Sequence, residues 1–221
     1  MKEQGITKRN PLKTKASILK HATTCFAKAG YHGTALDDIL AKAKVNKRMV
    51  YHYFGNKFGL YREVHSEGWK ELQEWFAKEL VASPVFSNPA LQGSNLLREA
   101  IKIFHDFMAS HQIFVRLLVW DGLEGGKISR NLWKDIRGPL YYQIEGLVHA
   151  AQAEGGLSSD IKAGHLIITF MGAISFYFSH AQTMIDIFHK NPLGEDAIRE
   201  RRQQVLATFE KLFEHTLQGS K

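Results

Sequence analysis

The chain has 221 residues, of which 44% are hydrophobic, enough to furnish a real core and too many for a disordered polar chain. Its single cysteine, Cys25, excludes an internal disulfide and a thiolate-rich metal site within one chain, and a cytoplasmic location is the simplest reading. The formal net charge of +7 is concentrated at one end: residues 1–62 hold 13 Lys and Arg against 3 Asp and Glu, whereas residues 63–221 hold 16 against 19. A segment of net charge +10 followed by a body of net charge −3 reads as an electrostatic footprint for a polyanion.

The first dozen residues, MKEQGITKRNPL, are polar and basic, without the apolar run of a secretory signal or a spanning segment. They read as a flexible basic arm over 1–12, continued by Lys13 and Lys15 and carrying Lys8 and Arg9. Strand signals are nearly absent, and almost every apolar cluster repeats at three and four, so the fold class is all-α with nine or ten helices.

A first helix is expected over about Lys13 to Ala29, with Ile18, Leu19, Ala22, Phe26 and Ala29 on one stripe and Gly30 as its stop. The second opens at Thr34, where Thr34 and Asp37 form a capping-box pattern, and buries Leu36, Ile39, Leu40 and Ala43. After a two-residue turn, Asn46 caps a third helix whose Val50 and Phe54 point inward. Gly55-Asn56 ends it and caps a long fourth helix from Lys57, with Leu60, Val64, Gly68, Leu72, Phe76 and Leu80 along one face.

Ser83-Pro84 and Asn88-Pro89 then mark a loop, followed by a helix over about Leu96 to Ser110. Short helices around Ile113 to Leu123 and Arg130 to Arg137 are separated by Gly122 to Gly126. Pro139 suits the first turn of a longer helix bearing Leu140, Ile144, Leu147, Val148 and Ala151, which Gly155-Gly156 closes. Ser159 or Asp160 caps the next, running to about Phe188. Its apolar run from Leu166 to Phe178 is thirteen residues, short of the roughly 20 a bilayer crossing needs, and reads as buried core. Asn191-Pro192 precedes a final helix with Ile198, Val205, Phe209, Leu212 and Thr216.

A short helix, a tight turn and a second helix exposing Lys47, Arg48, Met49, Tyr51 and His52 is the outline of a helix-turn-helix. Lys47 and Tyr51 are four apart, as are Arg48 and His52, so these groups share one side. Arg or Lys can donate to guanine in the major groove and Met can touch a thymine methyl. Tyr53, Lys57 and the amides opening the fourth helix suit phosphate. The plainer reading of the same stretch is a solvated basic surface. The charge asymmetry, the capping pattern and the turn agree with one another and favour the first.

With these residues in view, residues 13 to 61 resemble the DNA-binding domain of the TetR family of bacterial transcriptional repressors. Ile18-Leu19, Ala22, Phe26, Gly30, Thr34, Ile39, Ala43, Val45, Tyr51, Tyr53-Phe54, Lys57 and Leu60 carry the pattern. The family usually has Gly before the valine of the turn. Here it is Lys44, at a cost of about 1 to 2 kcal/mol if the turn is left-handed, and Lys44 adds a possible phosphate contact. The resemblance implies that Lys47, Arg48, Met49, Tyr51 and His52 face double-stranded operator DNA, with Thr34, Tyr53 and Lys57 on phosphates. Asn46 completes the candidate contact set.

The implied division is a helix-turn-helix domain over 13–60 and an effector-binding and dimerisation domain over 61–221. The resemblance implies a homodimer through the last two long helices, about Ile161 to Phe188 and Glu195 to Leu217, on a palindromic operator. It also implies a cavity for an unidentified small-molecule effector, with no cofactor and no metal. Candidate lining residues are Trp69, Phe104, Phe107, Met108, Phe114, Trp120, Tyr142 and Met171, each of which is ordinary core in the plainer reading. Two rivals stand beside this one. An enzyme has eleven histidines to draw on, but no H-E-x-x-H or other recognised spacing. A membrane-surface protein would need the apolar stripe of the first helix, which packing requires inside.

Overall fold

A computed structural model describes residues 10–87 and 93–218, with side chains through Lys211. The expected break at Asn88-Pro89, the arm residues Lys8 and Arg9, and the side chains of Leu212 and Thr216 lie outside the described residues. Among the described residues eleven α-helices form the fold and there is no strand. One more helix than the upper expectation arises because the segment read as a single helix to Phe188 is divided.

The first helix, α1 (Pro11–Gly33), opens with Asn10, whose Oδ1 accepts from the Leu12 and Lys13 amides, and Pro11 suits its first turn. Helix therefore already occupies Pro11 and Leu12, inside the stretch expected as arm. Ile18, Ala22 and Phe26 are fully buried at the four-residue repeat. The regular helix stops at Gly30, whose φ of 67° and ψ of −174° only glycine adopts readily, and a further turn carries the chain to Gly33.

Helix α2 (Leu36–Ala43) buries Ile39, Leu40 and Ala43. Its cap corrects the expectation: Ala35 holds that position, and the hydroxyl of Thr34 turns inward and donates to the Gly30 carbonyl at 2.7 Å. The helix ends at Lys44 in the left-handed conformation, φ 54°, with the Val45 amide donating to the Leu40 carbonyl at 3.1 Å. Lys44 thus occupies the conformation for which glycine is better suited.

Helix α3 (Lys47–Phe54) is capped by Asn46, whose side chain accepts from the Met49 amide at 3.2 Å. Helix α4 (Lys57–Ala82) is capped by Asn56, which accepts from Gly59 at 2.8 Å. Its 26 residues span roughly 39 Å. Leu60, Val64, Leu72 and Phe76 are buried as expected, and a second stripe of Tyr61, His65 and Trp69 is buried beside them. That breadth follows from position: α1, α3, α5 and α6 all pack against α4.

The body continues through α5 (Ser94–Ser110), α6 (Gln112–Leu123) and α7 (Lys127–Asn131). A wide π-helical turn, Trp133–Arg137, leads directly into α8 (Gly138–Ala153). Helix α9 (Ala163–Ser179) has Lys162 at its cap position without a side-chain cap bond, so neither Ser159 nor Asp160 caps it. It stops at His180, because Ser179 and His180 both turn their side chains onto the Phe176 carbonyl and compete with the helical ladder. A 3₁₀ turn over Ala181–Met184, α10 (Ile185–Phe188) and α11 (Glu195–Gln218) complete the chain. α5 is the centre of the body, packed by α4, α8, α9 and α11. No helix among the described residues is long and apolar enough to cross a membrane.

Candidate nucleic-acid interface and effector cavity

The exposed side of α3 is built by what its other side must bury. Val50 is fully buried, and Met49, Tyr53 and Phe54 are half-buried against the core. That leaves Lys47, Arg48, Tyr51 and His52 exposed on the opposite side, with Tyr51 49% accessible. The Lys47 ammonium lies 5.9 Å from the centre of the Tyr51 ring, and His52 packs edge-on against Tyr53 at 5.0 Å. Two cations, a phenol and an imidazole are thus gathered on one solvent-facing surface two turns long.

The flanking residues divide. Lys44 and Asn46 are exposed beside the N-terminus of α3, where Asn46 uses its carbonyl oxygen as the cap. Lys57 is partly buried, with its ammonium 4.5 Å over the Tyr31 ring, and burial pulls its pKa below the ordinary lysine value. Gly59 stands where any Cβ would strike the Phe54 carbonyl at 1.9 Å, which is how α4 starts so close behind α3. Thr34 is 4% exposed with its hydroxyl spent on backbone carbonyls, so its side chain is not offered to a phosphate. Lys15 is occupied too: it forms a 2.9 Å ion pair with Glu63 and belongs to the α1–α4 packing, not to an arm.

The head formed by α1, α2 and α3 is fastened to the body through α6. The Ala27 carbonyl near the end of α1 accepts from Arg116 at 3.0 Å and from the Trp120 indole at 3.3 Å. Glu124 accepts the amides of Tyr31 at 2.7 Å and His32 at 3.4 Å, and the Tyr61 hydroxyl at 3.1 Å. Gly30 is required here, because a Cβ would come within 2.6 Å of the Trp120 ring. No local pattern announces this junction, since its partners lie 63 to 93 residues apart and Glu124 sits in a loop that reads only as a spacer. Behind it His65 is fully buried with neither ring nitrogen partnered, and burial lowers its pKa to about 4.

A cavity of about 100 Å³ lies between α4, α5, α8 and α9. Trp69, Phe104 and Met171 line it as expected. The other candidates do not. Phe107 and Met108 are fully buried core, Phe107 being stacked on His111 at 3.9 Å. Phe114 packs edge-on against Trp69, and Trp120 belongs to the junction with α1. Tyr142 is 60% exposed on the outer side of α8. Residues missed at the cavity include Phe76, Trp133, Tyr141, Phe170 and, alone among the lining residues in carrying a charge, Arg137. Among the described residues no group of three His, Cys, Asp or Glu could hold a metal ion.

Comparison with known proteins agrees with this architecture at both ends of the chain. Residues 18–64 match the family described as bacterial regulatory proteins, tetR family, and residues 94–209 match the tetracyclin repressor-like C-terminal domain. The chain is 32% identical over 192 residues to the HTH-type transcriptional repressor SCO4008 of Streptomyces coelicolor, covering 87% of this chain and 92% of the relative. It is 27% identical over 186 residues to the HTH-type transcriptional repressor NicS of Pseudomonas putida, covering 83% and 84%. The fold is similar to the crystal structure of a TetR-like transcriptional regulator from Rhodococcus sp. RHA1, with a TM-score of 0.62, 19% identity and coverage of 94% and 97%. A family match over more than half the chain, joined to a head built around an exposed basic helix, sets the enzyme reading aside: the chain belongs to the TetR family of DNA-binding transcriptional regulators.

Proposed function

We propose that this regulator is a repressor that binds a palindromic operator as a homodimer and is released from it by a small-molecule effector. The observation that carries the DNA part is the division of α3, with Val50 fully buried and Lys47, Arg48, Tyr51 and His52 exposed opposite it. In this reading α3 enters the major groove, where Arg48 and Lys47 donate to guanine and Tyr51 and His52 meet neighbouring edges or phosphates. Met49 contributes through its half-exposed end. Lys44, Asn46, Tyr53 and Lys57 lie alongside for phosphate, which positions the helix without reading sequence.

Two copies are needed because one head spans too few base pairs for useful specificity. The pairing face follows α9, where Ile168 is 68% and Phe176 54% exposed, with Gly172 between them at the four-residue repeat. The exposed side of α11 beside it is polar in its described part, with Arg199, Gln203 and Thr208. An apolar stripe bordered by polar groups fits a two-fold helix-pair contact.

Release follows from the connection between cavity and head. The cavity touches α4 at Trp69, Leu72 and Phe76, and the same helix packs against α1 and α3. An effector with higher affinity for one position of α4 shifts the population of head positions. The test is selection of bound duplexes from a random pool: an inverted repeat should be enriched, and recovery of no motif at low salt would refute the reading.

A further inference from the structure

We propose that the cavity takes a small organic monocarboxylate of about one ring in size, whose carboxylate pairs with Arg137 while its apolar body lies against Trp69, Phe104 and Met171. The inference rests on the effector reading above and adds the chemical class of the ligand.

Among the described residues Arg137 is the one charged side chain on an otherwise apolar wall, and its guanidinium forms no ion pair; the buried Asp121 carboxylate acts on it only from a longer distance. Its Nε is buried without an acceptor, as is the indole Nε1 of Trp69, which also lines the cavity and is 4% exposed. Of the other partly buried arginines described, Arg98 bonds Glu210 and Arg202 bonds Asp106, while Arg201, whose Nε is likewise buried without an acceptor, bonds the Ala173 carbonyl through Nη2; Arg137 differs in making no hydrogen bond or ion pair to any described residue. What Arg137 has instead is aromatic contact, 4.7 Å from the Trp69 ring and 5.8 Å from the Trp133 ring. Cation–π contact offsets part of the cost of desolvating a guanidinium and does not use its in-plane N–H donors, of which the buried Nε–H has no acceptor. A carboxylate is the acceptor those donors fit, in the two-pronged geometry that arginine favours.

The local backbone supports a built site. The wide turn Trp133–Arg137 brings its first and last residues onto the same wall, and such turns recur at functional sites. Gly138 permits it, since a Cβ there would meet the Trp133 carbonyl at 2.7 Å. Size and charge then select the ligand. An apolar cavity of about 150 Å³ accepts benzene, so a cavity of about 100 Å³ suits a single ring or a short branched chain with modest adjustment. A neutral ligand leaves Arg137 unmatched, an amine is repelled by it, and a dianion brings a second charge with no partner on the wall.

The experiment compares benzoate, benzyl alcohol and benzylamine, matched in shape and differing in charge, by thermal shift and by quenching of indole fluorescence. Benzoate should raise Tm by several degrees and bind at least tenfold more tightly than the other two. Arg137→Met should abolish the preference, and Arg137→Lys, which keeps the charge and loses the fork, should retain part of it; a cooperative melt establishes that each variant is folded. Equal binding of benzoate and benzyl alcohol, absence of benzoate binding, or undiminished benzoate affinity in both variants would overturn the proposal. Duplex release is read separately. If benzoate binds through Arg137 and the duplex stays bound, the ligand class stands and the release reading fails; if benzyl alcohol releases the duplex and benzoate does not, the reverse holds.

Discussion

Glu124, on the loop after α6, accepts the backbone amide of Tyr31 at 2.7 Å, and so holds the end of α1 to the body of the molecule. The same carboxylate accepts from His32 and from the Tyr61 hydroxyl, making it the shared anchor of three donors from the head and from α4. Glu124→Ala leaves those donors to be met by other groups or by water, and stability should fall by about 1–3 kcal/mol. Urea denaturation measures this; an unchanged midpoint would mean that the anchor contributes nothing.

Gly30 faces the same junction from α1. Its backbone conformation is one that other residues adopt only with strain, and the Trp120 ring occupies the space a methyl would need. Gly30→Ala should cost roughly 2–4 kcal/mol, combining backbone strain with overpacking. Gly122→Ala, at a position open to 4 Å, is the control. Thermal melts of the two variants should separate clearly, and equal melting temperatures would mean that the junction tolerates a side chain at Gly30.

His65 gives the fold an acid-sensitive element. Its pKa is near 4 in the folded protein because burial disfavours the cation, against about 6.5 in the unfolded chain. A depressed folded value means that the unfolded state takes up the proton first. The contribution is fully present above pH 6.5 and is lost as pH falls from there towards 4, by on the order of 3 kcal/mol. Stability measured by denaturant titration across that range should decline, and His65→Leu should flatten the slope. A slope equal in both proteins would place its origin elsewhere.

The α9 stripe makes the proposed assembly testable without DNA. Phe176→Glu puts a charge where the exposed ring would meet its symmetry mate, so sedimentation should show a monomer at micromolar concentration while helical content is kept. A variant that sediments like the parent would move the interface off this face.

Much of this architecture is legible in the sequence because it depends on near neighbours. Ile18, Ala22 and Phe26 fall on one stripe by helical spacing alone, and Asn46 and Asn56 cap the helices they precede. The exposed set on α3 follows from the same periodicity, with the correction that Met49 and Tyr53 are half-buried. What the sequence hides are relationships between distant segments. Thr34 reads as a cap until the Gly30 carbonyl is found beside its hydroxyl. Phe107, Met108 and Trp120 are as apolar as Phe104 and Met171, and only the packing of α5 and α6 decides which of them reach the cavity. Arg137 reads as the end of a short helix, because a wide turn is not encoded in any local spacing.

In the proposed complex the α3 face reads bases while Lys57 holds the phosphate backbone. The decisive measurement is affinity for an enriched duplex and its single-base variants across a salt series, for Arg48→Ala and Lys57→Ala. Arg48→Ala should lose about 1–3 kcal/mol and accept substitutions at one position of each half-site, whereas Lys57→Ala should weaken all duplexes equally and reduce the salt slope by about one. Unchanged base preference in Arg48→Ala, with affinity intact in both variants, would contradict the assignment of this face.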